Sequence, residues 1–444
     1  MKYKPSRYNY YIISKIDGSL LLYNSFVGQS SLTCISNHNT IKSIMSLLEK
    51  KDGFEQGEIN NENFDILKKM GFFVLTSEDE LLKSYMKALH QITEPRLKLT
   101  LLPTEQCNFR CKYCYETHKK GTMNADVQDS IVKFVRKNIS NYTSVQINWF
   151  GGEPLEALDV VVSLSDRILN ITRAAHRRYI SFMTTNGYNL TTDVLNQLIS
   201  RYILTYQITL DGLQETHDRL RPLVSGEGTY KKILSNLLSI KNTVDNKHFA
   251  ILLRTNFSRD SYNQIEDYIA EYSKLFGDDS RFIFFPRFMG KWNNLFDDTI
   301  ESQLLSEKQI SNLHRILGSK GHSLNFAYHN FLTNDSLCEA SFLNSYVIGS
   351  DAKVYKCTAD FDLDENNIGY LSESGDLIID ESKHAKWISN SIDESCSQCF
   401  FLGACQSRSC PKARIIYGKC LCSYEKTHIQ DVLDVLDRSL FINV

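Results

Sequence analysis

The sequence lacks the features that direct a protein into or across a membrane. Its 444 residues contain no apolar run of about 18 residues, the length that a membrane-spanning helix needs. The amino terminus, MKYKPSRYNYYIISK, is basic and aromatic but has no apolar stretch of the kind that defines a signal peptide. These absences argue against a membrane-spanning helix and predict a cytoplasmic location.

An excess of charge of one sign is also missing. The formal net charge is −2, from 50 Lys and Arg residues against 52 Asp and Glu residues. Proteins that bind nucleic acids usually present a basic surface that neutralises phosphates. The composition therefore gives no support to a nucleic-acid partner, and the 42% hydrophobic content is that of an ordinary globular chain.

Cysteine, by contrast, is abundant and unevenly distributed. Of 12 cysteines, three lie within residues 107–114 and eight within residues 338–422, whereas Cys34 stands alone. In a reducing compartment, clustered cysteines more often bind metal or perform redox chemistry than form disulfides. Both clusters are therefore candidate metal sites, and Cys34 is expected to be a small buried hydrophobic residue.

Changes in pattern along the chain predict three domains. Residues 1–92 combine a hairpin signal, YNYYIIS–KIDG–SLLLYNS, with helical segments, which predicts a winged-helix-like module with an exposed strand; a simple structural cap is the alternative. Residues 93–325 alternate β-rich and helical segments. Residues 326–444 lose this periodicity and form a cysteine-rich carboxyl-terminal domain.

The central region contains six β-rich runs: RLKLTLLP, SVQINWF, RYISFMTTN, LTYQITL, FAILLRT and RFIFFPRF. Alternation of strands with helices predicts a parallel sheet with right-handed crossovers. Six units are too few to close an eight-fold barrel. We therefore predict an α/β fold with a partial (β/α)6 barrel, in preference to a doubly wound sheet.

Unusual short motifs lie at the ends of five of these strands. The cysteine loop follows the first and GGEP (151–154) the second, whereas TTNG (184–187) ends the third, TLDG (209–212) the fourth and RTN (254–256) the fifth. The carboxyl ends of parallel strands are where α/β barrels assemble their active sites. Each motif alone would fit an ordinary turn or strand end, but five in phase predict one shared site.

The cysteine loop has the spacing C-x3-C-x2-C and no fourth cysteine nearby. Three thiolates can hold three irons of a [4Fe–4S] cubane and leave the fourth iron without a protein ligand. An open coordination position is how a metal centre engages a substrate rather than only supporting a fold. The missing fourth cysteine is therefore interpreted as a functional feature.

These motifs resemble the signature of radical S-adenosylmethionine (radical SAM) enzymes. CNFRCKYCY matches the cluster motif, with an aromatic residue before its third cysteine, and GGEP matches the loop that holds the amino group of SAM. The resemblance implies that SAM is cleaved to a 5′-deoxyadenosyl radical that abstracts a substrate hydrogen. It assigns the cluster to Cys107, Cys111 and Cys114, and cofactor contacts to Tyr113, Gly151, Gly152, Glu153, Asn186, Thr209, Asp211 and Arg254.

The carboxyl-terminal cysteines resemble the SPASM extension of radical SAM enzymes, which usually carries two auxiliary [4Fe–4S] clusters. By resemblance, Cys396, Cys399, Cys405 and either Cys420 or Cys422 would hold the outer cluster, and Cys338, Cys357 and Cys410 the inner one. Two departures affect these assignments: four residues separate Cys405 from Cys410, and Ala352 replaces an expected glycine. A pair of zinc ribbons is the alternative.

Enzymes that join these two parts mostly modify peptides or proteins. In the sulfatase-maturing branch an aspartate follows the second SPASM cysteine, whereas Thr358 follows Cys357 here. The amino-terminal module resembles the element that takes a precursor's leader as an added strand. We therefore expect a thioether-forming peptide maturase that uses three [4Fe–4S] clusters, SAM, a precursor peptide with a leader, and a flavodoxin- or ferredoxin-type electron donor.

Other functions remain open at this point. Within the enzyme class, the alternatives are carbon–carbon cross-linking of a peptide and anaerobic sulfatase maturation. Outside it, the alternatives are an electron carrier with several clusters and a zinc-binding interaction module. Neither of these would need GGEP and TLDG in phase with an open-iron loop, and neither would produce 5′-deoxyadenosine. The sequence identifies no catalytic base.

Overall fold

The computed structural model describes residues 1–58, 61–290, 298–320, 328, 331–332, 337–389, 394–407, 410–436 and 440–444. The chain divides into two compact units. One contains residues 1–93, 311–341 and 388–444, and the other contains residues 94–310 and 342–387. The predicted boundary between residues 325 and 326 falls outside the described residues, and the three-domain division remains a prediction.

The strands are β1 Lys2–Pro5, β2 Asn9–Ile13, β3 Leu20–Asn24, β4 Thr33–Ile35, β5 Phe54–Glu55, β6 Phe73–Leu75, β7 Arg96–Leu101, β8 Ser144–Trp149, β9 Arg178–Thr185, β10 Ile203–Thr209, β11 Ala250–Phe257, β12 Phe282–Phe288, β13 Ser345–Ile348, β14 Lys353–Tyr355, β15 Asn367–Leu371, β16 Leu377–Ile379 and β17 Ile442–Asn443.

The helices are α1 His38–Leu48, α2 Asn61–Lys69, α3 Glu80–Ile92, α4 Ala125–Asn138, α5 Leu158–Ala174, α6 Thr192–Ile199, α7 Gln214–Leu220, α8 Tyr230–Thr243, α9 Arg259–Asn263, α10 Ile265–Phe276, α11 Asp298–Glu301 and α12 Glu307–Ser319. Short helices follow at Glu381–Ile388, Leu402–Cys405, Pro411–Tyr417, Tyr424–Thr427 and Ile429–Val435. None of the described helices has both the length and the apolar character needed to cross a membrane.

The unit of residues 94–310 and 342–387 is built on a ten-stranded sheet in the order β12-β11-β10-β9-β8-β7-β13-β14-β15-β16. Strands β7 to β12 are successive neighbours and all parallel, which confirms the six predicted strands and the α/β class. Their sequential order lacks the reversal of a doubly wound sheet. The order therefore agrees with the predicted partial barrel.

The same sheet continues beyond β7 into segments from the far end of the chain. Strand β13 pairs with β7 in parallel, and β14, β15 and β16 follow in antiparallel order. Strands β13 and β14 form a hairpin over the segment VIGSDAKVYK. Its parallel pairing with β7 was not predicted, because a four-residue strand carries no sequence signal for its partner.

Helices cover the sheet in the way their apolar spacing predicts. Helix α4 begins at Asn124, whose side chain accepts a hydrogen bond from the backbone N–H of Val127 and so satisfies an open amide of the first turn. Its buried residues include Val127, Ile131, Phe134 and Val135, which recur at intervals of three and four. The same intervals place one helix face against the strands.

The unit that contains residues 1–93 holds two small sheets. One has the order β5-β1-β6, and the other has the order β17-β4-β3-β2. The predicted β2–β3 hairpin and helix–glycine–strand segment are both present. Strand β17, from the carboxyl terminus, pairs with β4 beside Cys34, which is buried as expected. The winged-helix assignment stays a prediction.

An aromatic cluster forms the core of this amino-terminal segment. Tyr3, Phe54, Phe64 and Phe73 are almost fully buried and meet edge-on or stacked, with ring centroids 5.0 to 6.1 Å apart. Aromatic pairs in these arrangements add stability beyond the burial of their area. The cluster supports strand β6, which lies at the end of its sheet.

Candidate active site

The motifs predicted to meet at the strand ends do line one cavity, of about 1000 Å³ in empty volume. The cavity lies within the unit of residues 94–310 and 342–387. Of the predicted site residues, those that line it are Cys107, Cys111, Tyr113, Cys114, Gly151, Gly152, Glu153, Asn186, Thr209 and Arg254. Asp211 is fully buried and contacts the site through Tyr113.

The three thiols of the cysteine loop meet the requirements of a cluster site. The backbone N–H groups of Phe109 and Glu116 lie 3.3 and 3.4 Å from the sulfurs of Cys107 and Cys114, as in iron–sulfur sites where such hydrogen bonds tune the cluster. Burial raises the pKa of Cys107 and of Cys114 to about 12. Both thiols must therefore lose their protons when a metal centre binds.

A site that binds a single metal ion needs a different arrangement of side chains from a site that binds a cluster. Among the described residues, no three His, Cys, Asp or Glu side chains converge as ligands of one metal ion. A cubane does not need this convergence, because each cysteine binds a separate iron. Three thiols around one open cavity, with no fourth thiol among its lining residues, fit a cluster with one accessible iron.

The two glycines of GGEP allow the second motif to pack directly on the cysteine loop. The N–H groups of Gly152 and Glu153 donate to the carbonyls of Thr104 and Gln106, at 3.2 and 2.9 Å. A Cβ atom at Gly152 would lie 2.1 Å from the Gln106 carbonyl oxygen. Gly151 adopts a φ of +106°, which side chains other than glycine rarely tolerate. Close approach of two backbones therefore requires both glycines.

Glu153 is the anchor of this loop. One carboxylate oxygen accepts hydrogen bonds from Thr185 Oγ1 at 2.6 Å and from the N–H of Leu155 at 3.0 Å, and the other accepts from the N–H of Asn186 at 2.6 Å. Burial nevertheless raises its pKa to about 7. Glu153 thus ties the end of β8 to the end of β9.

Asn186 links the third motif to the cysteine loop. Its amide nitrogen donates to Asn108 Oδ1 at 2.7 Å and lies 4.0 Å from the sulfur of Cys107. Its own Oδ1 accepts from the N–H of Tyr188 at 2.9 Å, which fixes the orientation of the amide. The predicted proximity of this motif to the cluster loop is therefore observed.

A buried polar network lies behind Tyr113. The Tyr113 hydroxyl donates to Asp211 Oδ2 and accepts from Arg221 Nη1 at 2.8 Å. Asp211 Oδ1 accepts from the backbone N–H of Asn256 at 2.8 Å. His217 Nδ1 accepts from the N–H of Asp211 at 3.1 Å, so its Nε2 carries the proton and donates to Thr229 Oγ1. The network connects the cysteine loop to the ends of β10 and β11.

Several lining residues were missed by the sequence analysis. Asn256 and Gln207 line the cavity two positions from Arg254 and Thr209. Residues two apart on a strand share a face, so the two predicted residues already indicated the two missed ones. Glu116 also lines the cavity, and burial raises its pKa to about 8, which favours the neutral acid. No strand pattern points to Glu116.

The carboxyl-terminal cysteines line a second cavity, of about 630 Å³, within the unit that contains residues 388–444. The cysteines around it are Cys396, Cys399, Cys405, Cys420 and Cys422. Burial raises the pKa of Cys405 to about 12. Cys338 and Cys410 belong to this unit but do not line the cavity, and Cys357 belongs to the other unit.

The two carboxyl-terminal candidates for a fourth ligand differ in their surroundings. The Cys420 thiol donates to the carbonyl of Ser407 at 2.8 Å, whereas the Cys422 sulfur accepts from Lys426 Nζ at 3.3 Å. After burial, the charge of Cys422 is one of the smaller influences that raise the pKa of Cys405. The Cys420 thiol therefore pairs with a backbone acceptor, whereas the Cys422 sulfur pairs with a cationic donor.

Alanine at Gly152 is expected to disturb the cysteine loop strongly. Its Cβ would overlap the Gln106 carbonyl, so the loop must move and SAM cleavage should fall at least tenfold. Gly121→Ala is the matched control, since a Cβ there meets no atom within 4 Å. Initial rates of 5′-deoxyadenosine formation test the pair, and equal rates for both variants would contradict the packing role of Gly152.

Fold and site together define a class of protein: an enzyme of the α/β type with a thiol-lined site at the carboxyl ends of its parallel strands. The Radical SAM superfamily matches residues 101–268, which include all five motifs. These residues are a radical SAM domain, and the chain that carries this domain is an enzyme. This match favours an enzyme over a non-catalytic electron carrier or a zinc-binding interaction module. A [4Fe–4S] cluster and SAM are the cofactors that this domain implies.

Two curated enzymes are similar over most of the chain. The cysteine-type anaerobic sulfatase-maturating enzyme of Clostridium novyi (strain NT) is 24% identical over 362 residues, which cover 72% of this chain and 88% of that enzyme. The radical SAM cyclopropyl synthase TigE of Paramaledivibacter caminithermalis is 22% identical over 455 residues, which cover 94% of this chain and 89% of TigE.

Solved structures show the same fold. The enzyme anSMEcpe with bound AdoMet and Cp18Cys peptide has a TM-score of 0.52 at 19% identity, over 70% of this chain and 88% of that chain. Streptococcus suis SuiB bound to precursor peptide SuiA has a TM-score of 0.50 at 15% identity, over 92% of this chain and 95% of that chain. At these identities the likeness is one of fold.

Proposed function

We propose that this enzyme modifies a ribosomally synthesised precursor peptide and links a cysteine sulfur of that peptide to a carbon atom in a thioether. Peptide-bound relatives of the fold, anSMEcpe and SuiB, support a peptide substrate. The alignment with TigE, a radical SAM cyclopropyl synthase, covers 94% of this chain, whereas the alignment with the sulfatase-maturating enzyme covers 72%. The observation that carries the proposal is an open strand edge beside a groove within residues 1–93.

The groove has an empty volume of about 840 Å³ and combines apolar walls with four charged residues. Its apolar walls are formed by Tyr3, Tyr8, Phe26, Val27, Phe73, Val74 and Leu75, and its charged residues are Lys68, Glu78, Glu80 and Lys83. Concave apolar surfaces with a few polar groups are typical of ligand and peptide sites. We propose that this groove receives the leader of the precursor.

Strand β6 lies at the end of the β5-β1-β6 sheet, and no other strand of the described residues pairs with its outer edge. The N–H of Thr76 donates to the carbonyl of Lys2 at 3.2 Å, and the N–H of Ser6 donates to that of Phe72 at 2.8 Å. In an antiparallel ladder, alternate residues point their N–H groups in opposite directions, so the N–H of Leu75 faces the open edge. A leader strand could pair there through main-chain hydrogen bonds.

We propose that Cys107, Cys111 and Cys114 hold the radical SAM cluster. In the further proposal, Cys396, Cys399, Cys405 and Cys422 or Cys420 hold an outer auxiliary cluster, and Cys338, Cys357 and Cys410 an inner one. The total would be three clusters. A flavodoxin- or ferredoxin-type protein would supply electrons.

When bound, the cluster and SAM would supply a 5′-deoxyadenosyl radical that removes a hydrogen atom from the peptide. The chain itself shapes the place where the peptide carbon must lie. Arg254 Nε donates to Asn256 Oδ1 at 2.8 Å, so the two side chains hold each other at the cavity wall. Glu153 and Asn186 hold the ends of β8 and β9 together at another part of the cavity wall. The fixed walls limit which peptide carbons the radical could reach.

Sulfatase maturation is the second candidate, because the Clostridium novyi enzyme is a sulfatase maturase. Against it, Thr358 stands directly after Cys357, where that branch is expected to carry its aspartate, and the nearest acid is Asp360. Carbon–carbon cross-linking and cyclopropane formation are further candidates, the latter from the name of TigE. These products differ in what happens to the peptide's thiols.

Mass spectrometry of a cysteine-containing peptide encoded by a neighbouring reading frame tests the proposal. After incubation with enzyme, SAM and reductant, the peptide should lose a pair of hydrogen atoms, and one cysteine should stop reacting with iodoacetamide. Loss of the hydrogens with every thiol still reactive would favour a carbon–carbon link or a cyclopropane. An aldehyde on a sulfatase-derived peptide, with no change in the neighbouring peptide, would establish sulfatase maturation instead.

A further inference from the structure

Arg221 is a buried cation beside the cluster loop that the sequence motifs did not identify. It follows α7, is 7% exposed, and lines the cavity together with the three cysteines of the loop. Its guanidinium donates to the Tyr113 hydroxyl at 2.8 Å and lies 5.7 Å from the centre of the Phe109 ring. Within the described residues its Nε is buried without a hydrogen-bond partner.

The backbone around Arg221 is paired with the cysteine loop. The N–H of Lys112 donates to the carbonyl of Leu220, and the N–H of Arg110 donates to that of Pro222, both at 2.9 Å. The N–H of Val224 donates to the carbonyl of Asn108, also at 2.9 Å. Residues 220–224 thus form a short ribbon with residues 108–112, which holds Arg221 at a fixed distance from Cys111.

Charges of both signs lie around the cysteine loop. Arg221 and Glu153 line the same cavity as the three cysteines, and Asp211 is fully buried behind Tyr113. Arg221 and Asp211 contact the same Tyr113 hydroxyl. Arg254 is a further cation of the cavity wall.

We propose that Arg221 and Asp211 are positioning residues with opposed charges that set the reduction potential of the cluster held by Cys107, Cys111 and Cys114. Reduction adds one negative charge to the cluster. A guanidinium stays protonated at every working pH and, inside the protein, interacts with that charge far more strongly than in water. Arg221 therefore stabilises the reduced cluster, and the Asp211 carboxylate opposes reduction. This inference rests on the radical SAM domain and is independent of the peptide substrate.

The test is the midpoint potential of the cluster in the full-length protein, reconstituted without oxygen and titrated under electron paramagnetic resonance. A background in which Cys396, Cys399 and Cys405 are alanine simplifies the signal. Arg221→Gln should shift the potential to more negative values, and Asp211→Asn should shift it to less negative values. Arg221→Lys keeps the charge and should stay close to the parent protein.

Arg219→Gln is the matched control. Arg219 lies on α7 two residues earlier, but it is exposed and pairs with Asp260 at 2.6 Å, so solvent screens its charge. Its removal should leave the potential unchanged. If Arg221→Gln binds no iron, the other two variants still test the proposal. Asp211→Asn should shift the midpoint potential to less negative values, and Arg221→Lys should keep it close to that of the parent protein. Shifts of the same sign in both charge variants, or no shift with the cluster intact, would overturn the proposal.

Discussion

Replacing Cys107, Cys111 and Cys114 together by alanine is expected to abolish SAM cleavage completely. The three thiols line the cavity that GGEP and the other strand-end motifs surround, and the other described cysteines do not line it. With three cubanes, the intact protein should hold about twelve iron and about twelve sulfide atoms per chain. The triple variant should lose about one third of each, because the auxiliary sites keep their own cysteines.

Iron and sulfide analysis, together with 5′-deoxyadenosine production, measures this prediction. Cys34→Ala is a suitable control, since Cys34 is buried in the amino-terminal unit and belongs to neither cysteine cluster. It should retain both the iron and the activity. Cleavage of SAM at an undiminished rate by the triple variant would refute the assignment of the loop. Stoichiometric zinc without sulfide in the intact protein would refute the assignment of all three clusters.

Proline at Leu75 is expected to abolish modification of the full-length precursor while SAM cleavage without peptide persists. The N–H of Leu75 faces the open edge of β6, so proline removes a donor to an added strand without breaking the ladder to β1. Loss of docking lowers the effective concentration of the core peptide at the active site. The failure should therefore be partly recovered at high peptide concentration.

The matched control is Leu75→Ala, which shortens the side chain and keeps the N–H. Mass spectrometry of the precursor and binding of a labelled leader should separate the two variants by at least tenfold. Equal binding by both would show that main-chain pairing at β6 is not the mode of recognition. A loss of iron in Leu75→Pro would show that the substitution disturbs the fold instead.

Deletion of residues 1–92 would not isolate the role of this segment in peptide recognition. These residues share a compact unit with residues 388–444. Ser25 Oγ donates to the carbonyl of Phe400, and Lys87 Nζ donates to that of Gly403 at 3.2 Å, and both carbonyls lie between Cys399 and Cys405. The deletion would remove these supports, and its effects on iron and on peptide recognition would be mixed.

Local patterns predicted most of the central sheet and its site. Each of the six predicted runs forms a strand of six to eight residues in the structure. The cysteine loop and GGEP follow β7 and β8, TTNG and TLDG begin within the last residues of β9 and β10, and RTN lies within the last residues of β11. Parallel topology was therefore enough to bring the motifs together. Gly151, Gly152 and Glu153 could be placed because a known motif fixed their spacing. Their contacts could not be predicted, because the contacts of Gly152 and Glu153 depend on the backbone of another loop.

The residues that escaped prediction are those whose role depends on long-range contacts. Arg221 lies in RLRPLV, which has no strand or helix period, and it acquires its place through pairing with the cysteine loop. Strand β17 has two residues, and its partner β4 lies near the other end of the sequence. Short segments of this kind carry too little local pattern to reveal a partner distant in sequence.

The parallel pairing of β7 with β13 has a consequence for how the chain folds during its synthesis. During synthesis, the strand that leads into the cysteine loop emerges early, whereas Ser345–Ile348, its neighbour on one side, emerges only near the end. Until then, one edge of β7 has no strand beside it on the ribosome. Pairings of such large sequence separation form slowly, and unpaired edges attract other chains. Chains truncated before residue 345 should therefore be a main source of aggregation when this enzyme is expressed.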